Sequence, residues 1–108
     1  MSRQNALQLA SKFINIVKNE GIPVKKAFLF CSWAKGTADE NSDIDVCVIS
    51  PVFGADYTGE MAKLLTIAQK VDSRIESIPF NPEDMLDPYS SLASEIKATG
   101  VAIPMSIN

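Results

Sequence analysis

Two aspartates one residue apart, Asp43 and Asp45, lie in the segment Ser42-Asp43-Ile44-Asp45-Val46-Cys47-Val48-Ile49, which is otherwise mostly apolar. Side chains alternate along a strand, so Ile44, Val46 and Val48 share one face while Asp43, Asp45 and Cys47 share the other. Carboxylates at i and i+2 stand about 6.5–7 Å apart along the chain, and both can converge on one divalent ion or on a pair. Oxygen-only ligands select Mg²⁺ or Mn²⁺ over zinc. A third carboxylate from a neighbouring strand would complete a two-metal site, and Glu76 is the candidate. Just upstream runs Cys31-Ser32-Trp33-Ala34-Lys35-Gly36-Thr37-Ala38. Here Ser32 and the backbone N–H groups of the following turn would face phosphate oxygens. Gly36 permits close backbone approach, Lys35 adds positive charge and Thr37 hydrogen-bonds within the loop.

An isolated Asp-x-Asp is most often a solvated loop or a helix cap. Its context distinguishes this one, because an apolar run precedes the turn and an apolar strand carries the acids. Other polar residues have plainer readings: Lys25 and Lys26 as charges near the start of a strand, Asp84 and Asp87 as solvated loop acids, Cys31 and Cys47 as strand packing. Trp33 could stack on a base, but a lone tryptophan beside a turn more often covers core.

These residues need a scaffold, and the hydrophobic pattern predicts one. Ala6, Leu9, Ala10, Phe13, Ile14, Ile16 and Val17 form a helical stripe over Asn5 to Asn19, stopped by Gly21 and Pro23. A strand is expected over about Val24 to Phe30, a helical turn over Trp33 to Ala38, and a second strand over Ile44 to Ile49. Met61, Leu64, Leu65, Ala68 and Val71 predict a helix from Thr58 to Val71. A third strand follows near Arg74 to Phe80, with Arg74, Glu76 and Ile78 on one face and Pro79 marking a strand end or a sheet edge. Asn81 to Pro88 reads as loop, Ser90 to Thr99 as a helix closed by Gly100, and Val101 to Ile103 as a last strand. The expected class is a mixed α/β layer built as one domain over residues 1–108.

Composition narrows the chemistry. With 46% hydrophobic residues the 108-residue chain can close a modest core. It has no histidine, which removes the commonest general base and every Ser-His or Cys-His nucleophile arrangement. Carboxylates must carry any acid–base or metal chemistry. A net charge of −3 argues against an extended nucleic-acid-binding face. Two cysteines are too few for a disulfide framework, and no window approaches a membrane span, so a cytoplasmic, non-membrane protein is expected.

The pattern Ser32, Gly36-Thr37-Ala38, Ser42-Asp43-Ile44-Asp45-Val46 after an apolar strand resembles the signature of the DNA polymerase β-like nucleotidyltransferase superfamily, in particular its minimal single-domain bacterial and archaeal members. That resemblance implies a small mixed sheet with helices packed mainly on one side. It also implies Mg²⁺-dependent transfer of NMP from an NTP, ATP being the first choice, to a hydroxyl of a small molecule or partner protein. Asp43 and Asp45 match the paired metal-binding acids, and Glu76 is placed as the third, with Asp72 as the alternative. Ser32, Lys35, Gly36 and Thr37 match the nucleotide-holding turn. One position departs: the family pattern begins Gly-Ser, and Cys31 stands in place of that glycine, where a triphosphate approaches the backbone.

Three readings follow. In the first the chain is the enzyme just described. In the second, also implied by the resemblance, it is an antitoxin-like binding partner of a small helical (HEPN-type) protein, with weak or lost catalysis. In the third, Cys31 marks a fold that binds no nucleotide. Self-association is left open by all three.

Overall fold

The computed structural model describes residues 1–105. Helix α1 (Arg3–Asn19) begins two residues before the expected Asn5 because Ser2 and Asn5 cap each other: Asn5 N donates to Ser2 Oγ and Ser2 N to Asn5 Oδ1, both at 3.1 Å. Its stripe Ala6, Ala10, Phe13, Ile14 and Val17 is fully buried. Gly21, at φ 93°, lets the chain turn back toward the sheet.

Strand β1 (Lys26–Phe30) starts two residues later than expected from Val24, although Lys25 N still donates to Ile49 O at 2.8 Å. It leads directly into the short helix α2 (Ser32–Lys35), which is shorter than the expected Trp33–Ala38 because Gly36 takes a left-handed conformation at φ 80° and ends it. Strand β2 (Ile44–Ile49) runs antiparallel to β1, and helix α3 (Tyr57–Gln69) then carries the chain across to β3 (Ile75–Phe80), which pairs parallel to β2. A parallel pair needs such a crossover. Asp56 opens α3 by accepting from Gly59 N at 3.1 Å.

Asn81 to Pro88, expected as loop, contains a 3₁₀ helix at Pro82–Leu86. Asn81 accepts from Glu83 N, its own N donates to Asp84 Oδ2 at 2.8 Å, and Pro82 sits at the first helical position where a missing N–H costs nothing. Helix α4 (Ser91–Thr99) follows, capped by Ser90, and β4 (Val101–Ala102) pairs antiparallel with the free side of β1. The assigned strand stops before the expected Ile103, whose N nevertheless donates to Ala27 O at 2.9 Å.

The sheet order is β3-β2-β1-β4. This makes β3 an edge, which is why it tolerates Pro79. Period-2 alternation divides the sheet into two faces. Ala27, Leu29, Ile44, Val46, Val48 and Ile75 pack against the two long helices α1 and α3 in the main core. Phe30, Cys47 and Ile49 face the other way, and Ile96 and Leu92 of α4 with Met85 of the 3₁₀ helix cover them in a smaller cluster. The mixed α/β layer with helices mainly on one side is therefore the observed architecture.

Candidate active site

The acids emerge on the face covered by α4. The Asp39–Ser42 turn leads into them and is closed by its own side chains: Asp39 N donates to Ser42 Oγ at 2.9 Å and Asn41 N to Asp39 Oδ1 at 2.8 Å. Asp43 stands exposed just before β2, and Asp45 is the second residue of that strand, partly buried. In the sheet register Asp45 lies between Phe30 on β1 and Glu76 on β3. Parallel pairing brings Glu76, exposed on the edge strand, beside Asp45 on the same face. Asp72 is placed differently, at the α3–β3 turn, where it takes a bidentate ion pair from Arg74 at 2.7 and 2.9 Å. Hydrogen bonds from the Arg74 side chain and backbone hold its carboxyl down to about 2.

Asp45 shows the opposite behaviour. Burial first, and then the like charges of Glu76, Asp43 and Glu95, push its carboxyl up to about 6 from an ordinary 3.8. A carboxylate crowded by three others at a half-buried position is poised for a cation, which would neutralise the repulsion that raises it. Among the described residues, no three His, Cys, Asp or Glu side chains are already gathered into a metal cage. The donor set nonetheless fits a hard divalent ion, because Asp43, Asp45 and Glu76 supply only oxygens from one face.

The α2 turn lies beside these acids. Ser32 opens α2, and its carbonyl accepts from the backbone N of both Gly36 and Thr37. Trp33 is 5% exposed and belongs to the main core, so its indole covers core. Lys35, Gly36 and Thr37 are exposed along the turn. Cys31 has φ 59° and ψ −138°, a conformation suited to glycine, and among the described residues it is the non-glycine residue with positive φ. Here the structure gives a backbone reason for the glycine of the resembled pattern.

Two residues that the spacing of motifs did not single out complete the surroundings. Glu95 of α4 accepts from Cys31 Sγ at 3.2 Å and from Lys35 Nζ at 3.5 Å. The Cys31 hydrogen bond and then the Lys35 charge hold the Glu95 carboxyl below its usual range. Burial and the Glu95 bond push the Cys31 thiol up to about 11, so it stays protonated. In sequence Glu95 is one acid on an amphipathic helix and carries no signal of its own. Arg3 of α1 donates through Nε to Trp33 O at 3.1 Å and through Nη2 to Ala34 O at 2.7 Å. It thereby ties the last carbonyls of α2 to the long helix. Arg3→Ala is expected to cost about 1–2 kcal/mol in urea unfolding, the size of losing hydrogen bonds to a charged donor. Arg3→Lys should recover only part, since an ammonium cannot reproduce the guanidinium fork.

Beside Asp45 and Glu76 a groove of about 460 Å³ opens along the β3 edge, lined on one wall by Tyr57, Met61 and Leu65 of α3. Tyr57 and Leu65 are each more than half exposed there.

Known proteins share this fold. The profile of the nucleotidyltransferase domain family matches residues 10–90, which include strands β1, β2 and β3, the α2 turn and all three candidate acids. A protein of Sulfolobus solfataricus with a provisional nucleotidyltransferase assignment, solved at 1.40 Å, superposes with a TM-score of 0.64 over 93% of this chain and 80% of its own, at 14% identity. A chain from a toxin–antitoxin crystallised with AMP-PNP superposes with a TM-score of 0.54 over 87% of this chain and 73% of its own, at 21% identity. No curated protein sequence matches at a significant level. The two superpositions establish a shared fold, and the profile match over residues 10–90 establishes the family: this chain belongs to the nucleotidyltransferase domain family.

Proposed function

We propose that this chain is a single-domain, divalent-metal-dependent nucleotidyltransferase that moves NMP from an NTP, ATP foremost, to a hydroxyl of a small molecule or a partner protein. The observation that carries this reading is the register of Asp45 against Glu76, with Asp43 just upstream and the α2 turn alongside. Asp43, Asp45 and Glu76 would hold Mg²⁺ or Mn²⁺, which when bound supplies charge neutralisation at the phosphates and at the departing pyrophosphate. Lys35 adds a positive charge toward the triphosphate, while Ser32, Gly36 and Thr37 form the turn along which it lies. Arg3 keeps that turn from drifting. An ionised Asp45 is needed to hold the cation, so Mg²⁺ affinity should fall as pH drops below about 6.

The test is direct. The chain is incubated with Mg²⁺, each α-labelled NTP in turn and a small-molecule or helical-protein acceptor, and incorporation of label is followed. Metal- and NTP-dependent labelling is expected. A folded chain that neither binds an ATP analogue by calorimetry nor labels any acceptor would overturn the proposal.

The second reading, an antitoxin-like partner of a small helical protein, is supported by the fold shared with the toxin–antitoxin chain and by the apolar groove beside the acids. On this reading the complex forms whether or not the acids are intact. Equal affinity of wild type and Asp43→Asn for the helical protein supports it, and loss of binding in that variant excludes it. Among the described residues no helix is long and apolar enough to cross a membrane.

A further inference from the structure

The α2 turn already carries an anion. Glu95 reaches it from α4, where its Oε2 accepts from Cys31 Sγ at 3.2 Å and its Oε1 lies 3.5 Å from Lys35 Nζ. Each carboxylate oxygen thus contacts a different end of the turn. On the reading above Lys35 is the cation that would meet phosphate, and its pairing with Glu95 directs part of its charge and donors away from an incoming anion. The anchor on the other side is equally specific, because Cys31 presents its thiol from a backbone conformation that ordinarily belongs to glycine and has no side chain. Neighbouring Ile96 is buried against Phe30 and Cys47, so α4 is fixed to the sheet and Glu95 is held over the turn by packing as well as by its own bonds.

We propose that Glu95 is a built-in competitor for the phosphate-holding turn, a carboxylate that an incoming triphosphate must displace from Lys35 and Cys31 before it can bind. This rests on the reading of that turn as the phosphate site. The release involves only side-chain rotation, since Glu95 is partly exposed and α4 need not move. The resident ion pair lowers apparent nucleotide affinity by the fraction of time that Lys35 is occupied. Any partner that draws Glu95 away raises affinity without touching the acids.

The test is calorimetric titration of a non-hydrolysable ATP analogue with Mg²⁺ into wild type, Glu95→Gln, Lys35→Ala and the double variant, with Glu20→Gln on the C-terminal cap of α1 as a charge control. Glu95→Gln keeps the side-chain volume, and it should bind about three- to fivefold more tightly, the range of a partly exposed ion pair. Glu20→Gln should match wild type. In the Lys35→Ala background the gain from Glu95→Gln should shrink sharply, because the cation that Glu95 competes for is gone and only its general charge effect on the nearby acids remains. If the gain persists there in full, Glu95 acts only as a nearby like charge and the competitor proposal fails. If wild type and Glu95→Gln bind equally, it also fails, while the phosphate site stands. If none of the four binds, the phosphate reading itself fails and takes the competitor with it.

Discussion

Asp45→Asn should abolish nucleotidyl transfer and, at neutral pH, make the protein more stable. The first effect is expected to be at least about a thousandfold, the scale of removing one preorganised charged group from a phosphoryl-type transition state. The second follows from the crowding of carboxylates around Asp45. Its folded-state pKa, about 6, lies above the ordinary 3.8 because burial, Glu76, Asp43 and Glu95 all disfavour the charge. The folded state therefore binds the proton more tightly than the unfolded chain does. The stability this contributes is fully present below about pH 3.8 and is lost as pH rises through about 6. That displacement corresponds to about 3 kcal/mol between protonation states. Solvent screening at a half-buried position reduces the recoverable part to about 1–2 kcal/mol.

Urea unfolding at pH 7.5 should therefore show Asp45→Asn more stable than wild type, with the difference closing near pH 4. Added Mg²⁺ should raise the wild-type midpoint and leave that of the variant unchanged, since a ligand stabilises only the state that binds it. Full turnover in the variant, or equal Mg²⁺ stabilisation of both proteins, would remove the metal-site account. The pairing of lost activity with gained stability is the signature of a charge cluster retained for chemistry at a cost to the fold.

Cys31→Gly is the second substitution with a large expected effect. A non-glycine residue at φ 59°, ψ −138° carries strain on the order of 1–3 kcal/mol, which glycine removes. Against this stand the conformational freedom of glycine in the unfolded chain, about 0.5–1 kcal/mol, and the lost thiol bond to Glu95. The net expectation is a gain of about 1 kcal/mol in urea unfolding, together with nucleotide binding tighter by about tenfold as the side chain clears the backbone and Glu95 loses one of its two anchors. Cys31→Ala separates the two causes. It removes the thiol but keeps the Cβ, so it should be less stable than Cys31→Gly while sharing the release of Glu95. An Ala variant as stable as the Gly variant would show that the backbone at this position is relaxed.

Much of this arrangement is legible without coordinates, and the reasons are local. The stripe on α1, the apolar run of β1, the Ser32 turn and the alternation through Ile44–Ile49 each depend on neighbours within a few residues, so periodicity and turn chemistry reveal them. The boundaries that shifted did so for equally local causes: the Ser2–Asn5 cap lengthens α1, Gly36 shortens α2, and the Asn81 cap with Pro82 organises a helix where loop was expected.

What escaped is long-range. Arg3 and Glu95 reach the α2 turn from helices at opposite ends of the chain, and each taken alone is an ordinary charged residue on an amphipathic surface. Asp72 and Glu76 are similarly two acids near the third strand. Their separation into a structural ion pair and a register partner of Asp45 follows from where the parallel strand begins.

Residue order alone thus picked out the groups proposed for chemistry: two aspartates two positions apart at the start of a strand, a small-residue turn before them and no histidine to share the work. Tertiary structure decided which further charges join them, because strand register and helix packing set distances between residues that the backbone keeps tens of positions apart. Alternation places a carboxylate on a face, but only the assembled sheet and the helix laid across it decide which other charges that carboxylate meets.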